Sequence, residues 1–381
     1  MLNQIRKIFA DRKNRRPVVV APASKARGAV VISYISWPLR EGWDLPRARG
    51  HTNAFEVVAM TEAWRDLGFR VEVVDHRNES YFPPPDAAVV IDLHGDMERW
   101  LPALRPDCMK ILHATGSHWL AWNTAELARL SGVRNRKGVA LRPRRQNVPS
   151  ASSELVDRIV VLGNDYTSGS FLFTGKPVMR IPISSAYEFE WPRDRDFEQA
   201  RRKFLWVGSY GMVHKGLDLV LDAFASLPDL QLTVCGRPEK EADFHKLYEK
   251  QLRHSPNIHF HGWLDMGSPD FGQIARTHGT IIYPSCAEGG AGSVIHCLHA
   301  GLLPACTHES SVDLGAFGVL IEEGSVEAVR SAAATISAFS PTEIEARARA
   351  AWEHARAAHT RALFKLNYGR FASELAVRSG L

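Results

Sequence analysis

Between Ile281 and Thr307 the chain reads IIYPSCAEGGAGSVIHCLHAGLLPACT: an apolar run, a glycine-rich turn, a helical pattern and a second apolar run from Leu302 to Cys306. The two runs read as buried strands and the segment between them as a crossover. After Glu288 come Gly289, Gly290, Ala291, Gly292 and Ser293, which have too little side chain to cover the backbone. Val294, Ile295, Leu298 and Leu302 then follow at helical spacing. A helix opened in this way leaves bare amides at its N-terminus, where about half a positive charge collects, so phosphate or sugar oxygens suit it. In a parallel sheet such a loop lies at the carboxyl end of a strand, where these folds bind ligands. A glycine-rich turn of ordinary βαβ packing is the plainer alternative.

The register of Pro284, Ser285, Glu288, Gly289, Gly292, Gly301 and Pro304 resembles the donor-binding signature of retaining glycosyltransferases of family 4, glycosyltransferase group 1. That resemblance implies the GT-B fold, an α/β architecture of two doubly wound parallel-sheet (Rossmann-like) domains facing a cleft. One position departs from the pattern: His296 stands where the family places a second glutamate.

The rest of the chain supplies two rounds of the strand-helix rhythm. From Ala29 come a strand (GAVVISYIS), a helix from about Asn53 to Leu67, Gly68 as its stop, and a strand (VEVVD). Thr52 or Asn53 caps that helix, and with Asn53 as the cap Glu56 is placed for a capping box. The 14 residues from Trp37 to Gly50 read as a long loop, with Trp43, Asp44, Arg47 and Arg49 either lining an acceptor cleft or covering the core. Strands at AAVVIDLH, MKILHA, DRIVVLG and PVMRIPI complete a first domain near Ser184. Residues 185 to 197 read as a linker, after which KFLWVG, LQLTVCG and IHFHG alternate with helical patterns. Beyond Val319 the chain becomes helical to its end. The expected division is a basic segment 1–16, an acceptor-side domain 17–184, a donor domain 185–355 and a C-terminal helix 356–381, which the resemblance returns to the first domain. No GxGxxG follows the first strand, which disfavours a dinucleotide oxidoreductase.

The stretch VGSYGMVHKG is similar to the family's diphosphate-binding turn: Lys215-Gly216 matches its late pair, and Ser209 replaces its arginine. The resemblance assigns the catalytic work to Glu288, Lys215 and His113. Glu288 would accept hydrogen bonds from donor-sugar hydroxyls. Lys215 would neutralise the departing diphosphate, where preorganised charge stabilises a transition state most. His113, at the end of MKILHA, would contact the donor sugar, with His118 the second choice; a histidine there is also an ordinary packing residue. The same carry-over gives Gly208, Ser209, Gly289, Gly290, Ala291, Gly292, Ser293 and His296 as donor-binding residues, with Arg237 or His214 compensating for Ser209. His296 would offer one acceptor nitrogen to the ribose. Trp43, Arg47, Arg49 and His118 are placed on the acceptor side. No protein base is implied, because the departing phosphate can take the acceptor's proton.

Residues 134 to 145, RNRKGVALRPRR, carry six basic side chains and no acid. They form either a solvated loop or an arginine-lined path for an anionic acceptor. Residues 1 to 16 set Leu2, Ile5, Ile8 and Phe9 against six basic residues, a pattern suited to peripheral contact with an anionic membrane or to a solvated tail. The net charge of +5 is too mild to argue nucleic-acid binding. Five cysteines, an odd number with several in predicted strands or helices, read as reduced thiols of a cytoplasmic protein. No apolar run approaches a membrane span and no secretory signal is legible. Cys286, His296, Cys297, His299, Cys306 and His308 match no zinc spacing, so no metal is expected. The reading is a cytoplasmic glycosyltransferase with a nucleotide-sugar cosubstrate, no cofactor, and a glycan or lipid-linked acceptor. A nucleotide-sugar epimerase and a catalytically silent sugar- or partner-binding module are the alternatives.

Overall fold

The computed structural model describes residues 16–378 apart from 25, 26, 44 and 94, so the basic segment before Arg16, and Asp44, lie outside the described residues. The first sheet contains β1 (Val18–Val20), β2 (Ala29–Tyr34), β3 (Arg70–Asp75), β4 (Ala87–Asp92), β5 (Met109–Ala114), β6 (Arg158–Val161) and β7 (Val178–Arg180). Their order is β1-β3-β2-β4-β5-β6-β7, and only β1 runs antiparallel to its neighbour. β2 and β4 are buried at every position, which is why they read as unbroken apolar runs with helices covering both faces. β1 was not legible as a strand: its three valines lie between Pro17 and Pro22, and prolines suit only a short edge strand.

The second sheet contains β8 (Lys203–Gly208), β9 (Gln231–Gly236), β10 (Ile258–Gly262), β11 (Thr280–Tyr283), β12 (Leu303–Cys306) and β13 (Val319–Leu320). It is wholly parallel in the order β10-β9-β8-β11-β12-β13. The strand order reverses between β8 and β11, and at such a switch point the loops leaving two neighbouring strands diverge and open a crevice.

Trp37 to Gly50 is not a plain loop, because it folds into two short helices, α1 (Trp37–Glu41) and α2 (Pro46–Arg49). Pro38 and Pro46 sit in their first turns, where a missing N–H costs nothing, so the prolines start helices here. The capping box is also corrected. α3 runs from Thr52 to Asp66 behind His51, which makes no side-chain cap. Glu56 is then the fifth helical residue, too far along to reach back; it is buried and accepts from Tyr34 Oη at 3.2 Å.

Basic side chains of residues 134–145 are drawn to the second domain. α4 (Trp119–Lys137) ends at Gly138 in the left-handed region. Its Arg136 lies 2.6 Å from Asp218, and its Lys137 lies 2.6 Å from Asp222, both on α5 (Leu217–Phe224). Arg144 pairs with Asp243 of α6 (Ala242–His254). These contacts span the two domains beside the cleft.

α7 (Gly292–His299) connects β11 to β12, and α8 (Val326–Ala338), α9 (Pro341–Ala358) and α10 (Arg361–Arg378) end the chain. α9 packs on α7, and α10 packs on α3 of the first domain, where Phe364 meets Phe55 and Lys365 pairs with Glu62. The two chain crossings between domains are bonded to each other: Ser185 N–H donates to His359 O at 2.8 Å, and His359 Nδ1 to Ile183 O at 2.9 Å.

Candidate active site

The loops leaving β8 and β11 meet at the switch point of the second sheet. The first carries Lys215, and the second carries Glu288. Lys215 Nζ lies 2.6 Å from Glu288 Oε1 and donates to Tyr283 Oη at 2.7 Å. Tyr283 Oη in turn donates to Glu288 Oε1 at 3.0 Å. Burial pushes the Glu288 carboxyl up, but Lys215, Arg145 and His214 outweigh it and hold the group at about 2. Glu288 is therefore a carboxylate, and an acceptor only, at neutral pH. Burial pulls Lys215 down from its ordinary value, with Glu288 opposing. Gly216 holds the turn after Lys215 at φ 73°, and an added Cβ would come within 2.3 Å of Pro284 O on the neighbouring loop.

The glycine-rich turn divides its work. A Cβ on Gly289 would fall 2.1 Å from Thr115 O, so this glycine permits the two domains to touch backbone to backbone. Gly290 likewise faces Leu162 O and Ile183 of the first domain. Ala291, Gly292 and Ser293 instead line a cavity of about 330 Å³ together with Gly208, Ser209 and Lys215. Gly292 and Ser293 open α7, so their N–H groups have no acceptor within the helix. Glu288, His296 and Trp263 complete the second-domain wall, and residues 50–53 at the start of α3 form the opposite one.

His296 reaches this cavity with both ring nitrogens engaged. Nδ1 is 2.6 Å from Gly292 O, a contact only a donor can make, and Nε2 accepts from Ala186 N–H at 3.2 Å. The acceptor nitrogen expected for a ribose is thus held by the chain crossing at Ala186. Arg237 is not among the lining residues; its guanidinium stacks on Trp263 at 4.6 Å.

His113 corrects a sequence expectation. It does not face the cleft: it is 1% exposed, between Tyr34 at 5.7 Å and Tyr368 of α10 at 6.2 Å. Burial pushes it down to about 4, so it is a neutral core residue. Side chains alternate across a strand, and His113 points to the face that α10 covers. Trp43 packs on Phe55 with Arg361 over its ring, Arg47 pairs with Glu41 over Trp37, and the Arg49 carbonyl accepts from Arg361. None of these three lines either of the two cavities at the cleft.

His118 lines a second cavity, of about 510 Å³, with Trp119, Trp122, Arg144 and Arg145. Thr115 and Gly116 also belong to it, so it adjoins the glycine-rich loop at the Gly289 contact. Tyr210 enters it from the second domain, one residue after Ser209 of the first cavity. Sequence reasoning missed Tyr283, Trp263, Trp122 and Tyr210. The rule that placed Glu288, residues just beyond strand ends of a parallel sheet, could have found Trp263 after β10 and Tyr210 after β8. Among the described residues no three His, Cys, Asp or Glu side chains are grouped as metal ligands, the five cysteines are free and buried, and no helix is long and apolar enough to cross a membrane.

Residues 201–338, from β8 through α8, match the family model of glycosyl transferases group 1. No curated protein sequence matches the chain. Among solved structures, sucrose-phosphate synthase (tll1590) from Thermosynechococcus elongatus aligns with a TM-score of 0.63 at 13% identity, over 92% of this chain and 100% of that one. A structure described as trehalose-6-phosphate from E. coli bound with UDP-2-fluoro glucose aligns at 0.58 and 8% identity, over 90% and 98%. WaaG, a glycosyltransferase involved in lipopolysaccharide biosynthesis, aligns at 0.53 and 16%, over 89% and 98%. The chain spans only 54 to 56% of the length of two TarM structures and of the pneumococcal O-GlcNAc transferase GtfA, at 12% identity and TM-scores of 0.49 to 0.50. At these identities the likeness is one of fold, and that fold is GT-B: two Rossmann-like domains facing a cleft.

Proposed function

We propose that this chain is a glycosyltransferase that moves a sugar, of hexosyl type, from a nucleoside-diphosphate donor to a glycan or lipid-linked acceptor with retention. The observation that carries the reading is the Lys215–Glu288 pair at the β8/β11 switch point, in one cavity with the first residues of α7. Lys215 and the amides of Gly292 and Ser293 supply positive charge where the departing diphosphate gains negative charge. Glu288, fixed as a carboxylate, accepts from the donor's hydroxyls and holds the ring against the leaving group. The bond from the sugar to the diphosphate breaks, the acceptor oxygen bonds to the same carbon, and the departing phosphate oxygen takes the acceptor's proton. The match of residues 201–338 to a glycosyl transferase family supports this assignment.

A second reading, a donor-binding module without turnover, is favoured by Lys215 being already neutralised by Glu288 and by Ser209 standing in the diphosphate turn. A thermal-shift panel of nucleotide sugars, followed by assay for transfer, separates the two. A ligand at 100 times its dissociation constant stabilises by about 2.7 kcal/mol. Binding and transfer, both unchanged by EDTA, fit the first reading with lysine and amides holding the diphosphate. Binding without transfer to any acceptor in a glycan and glycolipid set fits the second, and no binding sinks both.

A further inference from the structure

The second cavity is unusual in what surrounds it. Its lining contains Arg144 and Arg145 and no aspartate or glutamate. Arg144 is committed to Asp243, but the Arg145 guanidinium has no hydrogen bond or ion pair with another side chain among the described residues; it rests over the Trp122 ring at 5.3 Å. Trp122 is itself fixed, since its Nε1–H donates to Arg145 O. It is 5% exposed, with the His214 ring 4.7 Å away, so it serves as the seat of Arg145. His118 Nδ1 accepts from Leu120 N–H, and its Nε2, without a partner, is closed off from solvent between Phe171 and Phe173. Two guanidinium groups with no acid among the lining residues suit a sugar that carries an anionic group.

The rim has a different character. Leu120 is 55% exposed, Val148 81%, Leu172 69% and Phe173 61%. Single exposed apolar residues need no explanation, but Val148 lines this cavity and Phe173 packs at 4.9 Å on His118, which also lines it. Leu120 bonds to His118, and Leu172 stands beside Phe173 in sequence. An apolar margin continuous with a cationic floor matches an amphiphile.

We infer that this cavity seats the acceptor and that the acceptor is an anionic glycolipid, with its charged sugar head on Arg145 and its hydrocarbon chain over Val148 and Phe173. The inference rests on the glycosyl-transfer reading above and names the substrate class of that reaction. A free anionic sugar would leave the rim unused, and a neutral glycolipid would leave the Arg145 guanidinium without a hydrogen-bonding side chain or anion.

The test uses the full chain and three probes below their micellar concentrations: octyl β-D-glucuronide, octyl β-D-glucoside and glucuronate. Binding is read by tryptophan fluorescence, which Trp119 and Trp122 report, and by calorimetry. Octyl glucuronide is expected to bind at least about tenfold tighter than either of the others, the span of one charge-assisted hydrogen bond. Arg145→Gln should lower it to the level of octyl glucoside, and Phe173→Ser to near that of glucuronate. Phe173 is a surface residue away from the donor cavity, so its variant should keep wild-type binding of nucleoside diphosphates. Equal binding of all three probes, or undiminished preference for the acid in Arg145→Gln, overturns the proposal while leaving the donor reading intact. If no nucleoside diphosphate or nucleotide sugar binds the wild-type chain, the glycosyl-transfer reading falls, and the acceptor assignment falls with it.

Discussion

Lys215 and Glu288 lie 2.6 Å apart with 8% and 7% of their surfaces exposed, so each is the other's counter-charge before any donor arrives. Removing one partner of such a pair costs about 3–5 kcal/mol, because the other charge is left buried and unpaired. Glu288→Gln should therefore lose stability as well as turnover. The turnover loss should be about 100-fold, comparable to removal of one preorganised contact. The double variant Lys215→Met/Glu288→Leu should regain most of the stability and none of the activity. Urea midpoints and initial rates measured on the same preparations check this; a fully stable Glu288→Gln would show that the pair is not a closed ionic contact.

The same pair sets an acid limit. Glu288 is held at about 2, below its ordinary 4.5, so its contribution is present above pH 4.5 and fades as pH falls toward 2. Glu56 works in the opposite sense. Burial raises its carboxyl from 4.5 to about 7, with hydrogen bonds from the Ser184 backbone and the Tyr34 hydroxyl pulling the other way. A raised carboxyl favours the folded state fully below pH 4.5 and loses that contribution as pH rises through 7. Glu56→Gln should remove this dependence and exceed the wild type at pH 8 by roughly 3 kcal/mol, the equivalent of the shift. Urea unfolding at pH 5 and pH 8 decides it: a wild type no less stable relative to the variant at pH 8 than at pH 5 would show that Glu56 is not strained by burial.

What was legible in the sequence was whatever a short stretch encodes. Glu288 and the opening of α7 lie within one loop, and Lys215-Gly216 in another; strand periodicity alone put both at carboxyl ends of strands. What was not legible depended on distant partners. His113 reads as a strand-end histidine until Tyr368, more than 250 residues later, is found to cover it. The arginines of residues 134–145 read as a solvated or substrate-facing run because Asp218, Asp222 and Asp243 meet them only across the cleft. Gly289 reads as a phosphate-loop glycine, although its missing side chain makes room for Thr115.

Those cross-cleft pairs are unequal. Asp218 is fully buried, whereas Arg144 and Asp243 keep about a quarter of their side-chain surface, 23% and 28%. Burial pushes the Asp218 carboxyl up even with Arg129 and Arg136 beside it. Arg136→Gln removes one of those cations and should cost about 3 kcal/mol at pH 8. The cost should shrink at pH 5, because a carboxyl with a raised value protonates first as pH falls. Arg144→Gln, at a solvated pair, should cost under about 1 kcal/mol and lose even that in high salt. Equal effects of the two substitutions, measured by urea unfolding at low and high salt, would refute the distinction.

His296 is the last position at which local pattern and long-range contact disagree. The sequence resemblance puts a glutamate at this position and implies that His296→Glu would offer a ribose acceptor. In this fold Nδ1 donates to Gly292 O at the first turn of α7, and Nε2 accepts from Ala186 N–H where the chain crosses between domains. A glutamate at the same place can accept from Ala186 but cannot donate to Gly292, and it sets a carboxylate against a carbonyl oxygen. The lost bond and the repulsion should cost about 1–3 kcal/mol. Because Gly292 and Ser293 begin the helix that lines the cavity proposed for the donor, donor affinity should fall as well. His296→Gln can donate and accept, and should stay close to wild type in both respects. Urea midpoints and donor dissociation constants for the two variants form the check. A glutamate variant as stable as wild type that binds donor more tightly would mean that the Gly292 and Ala186 contacts are dispensable and that the cavity at residue 296 is free to take the ribose.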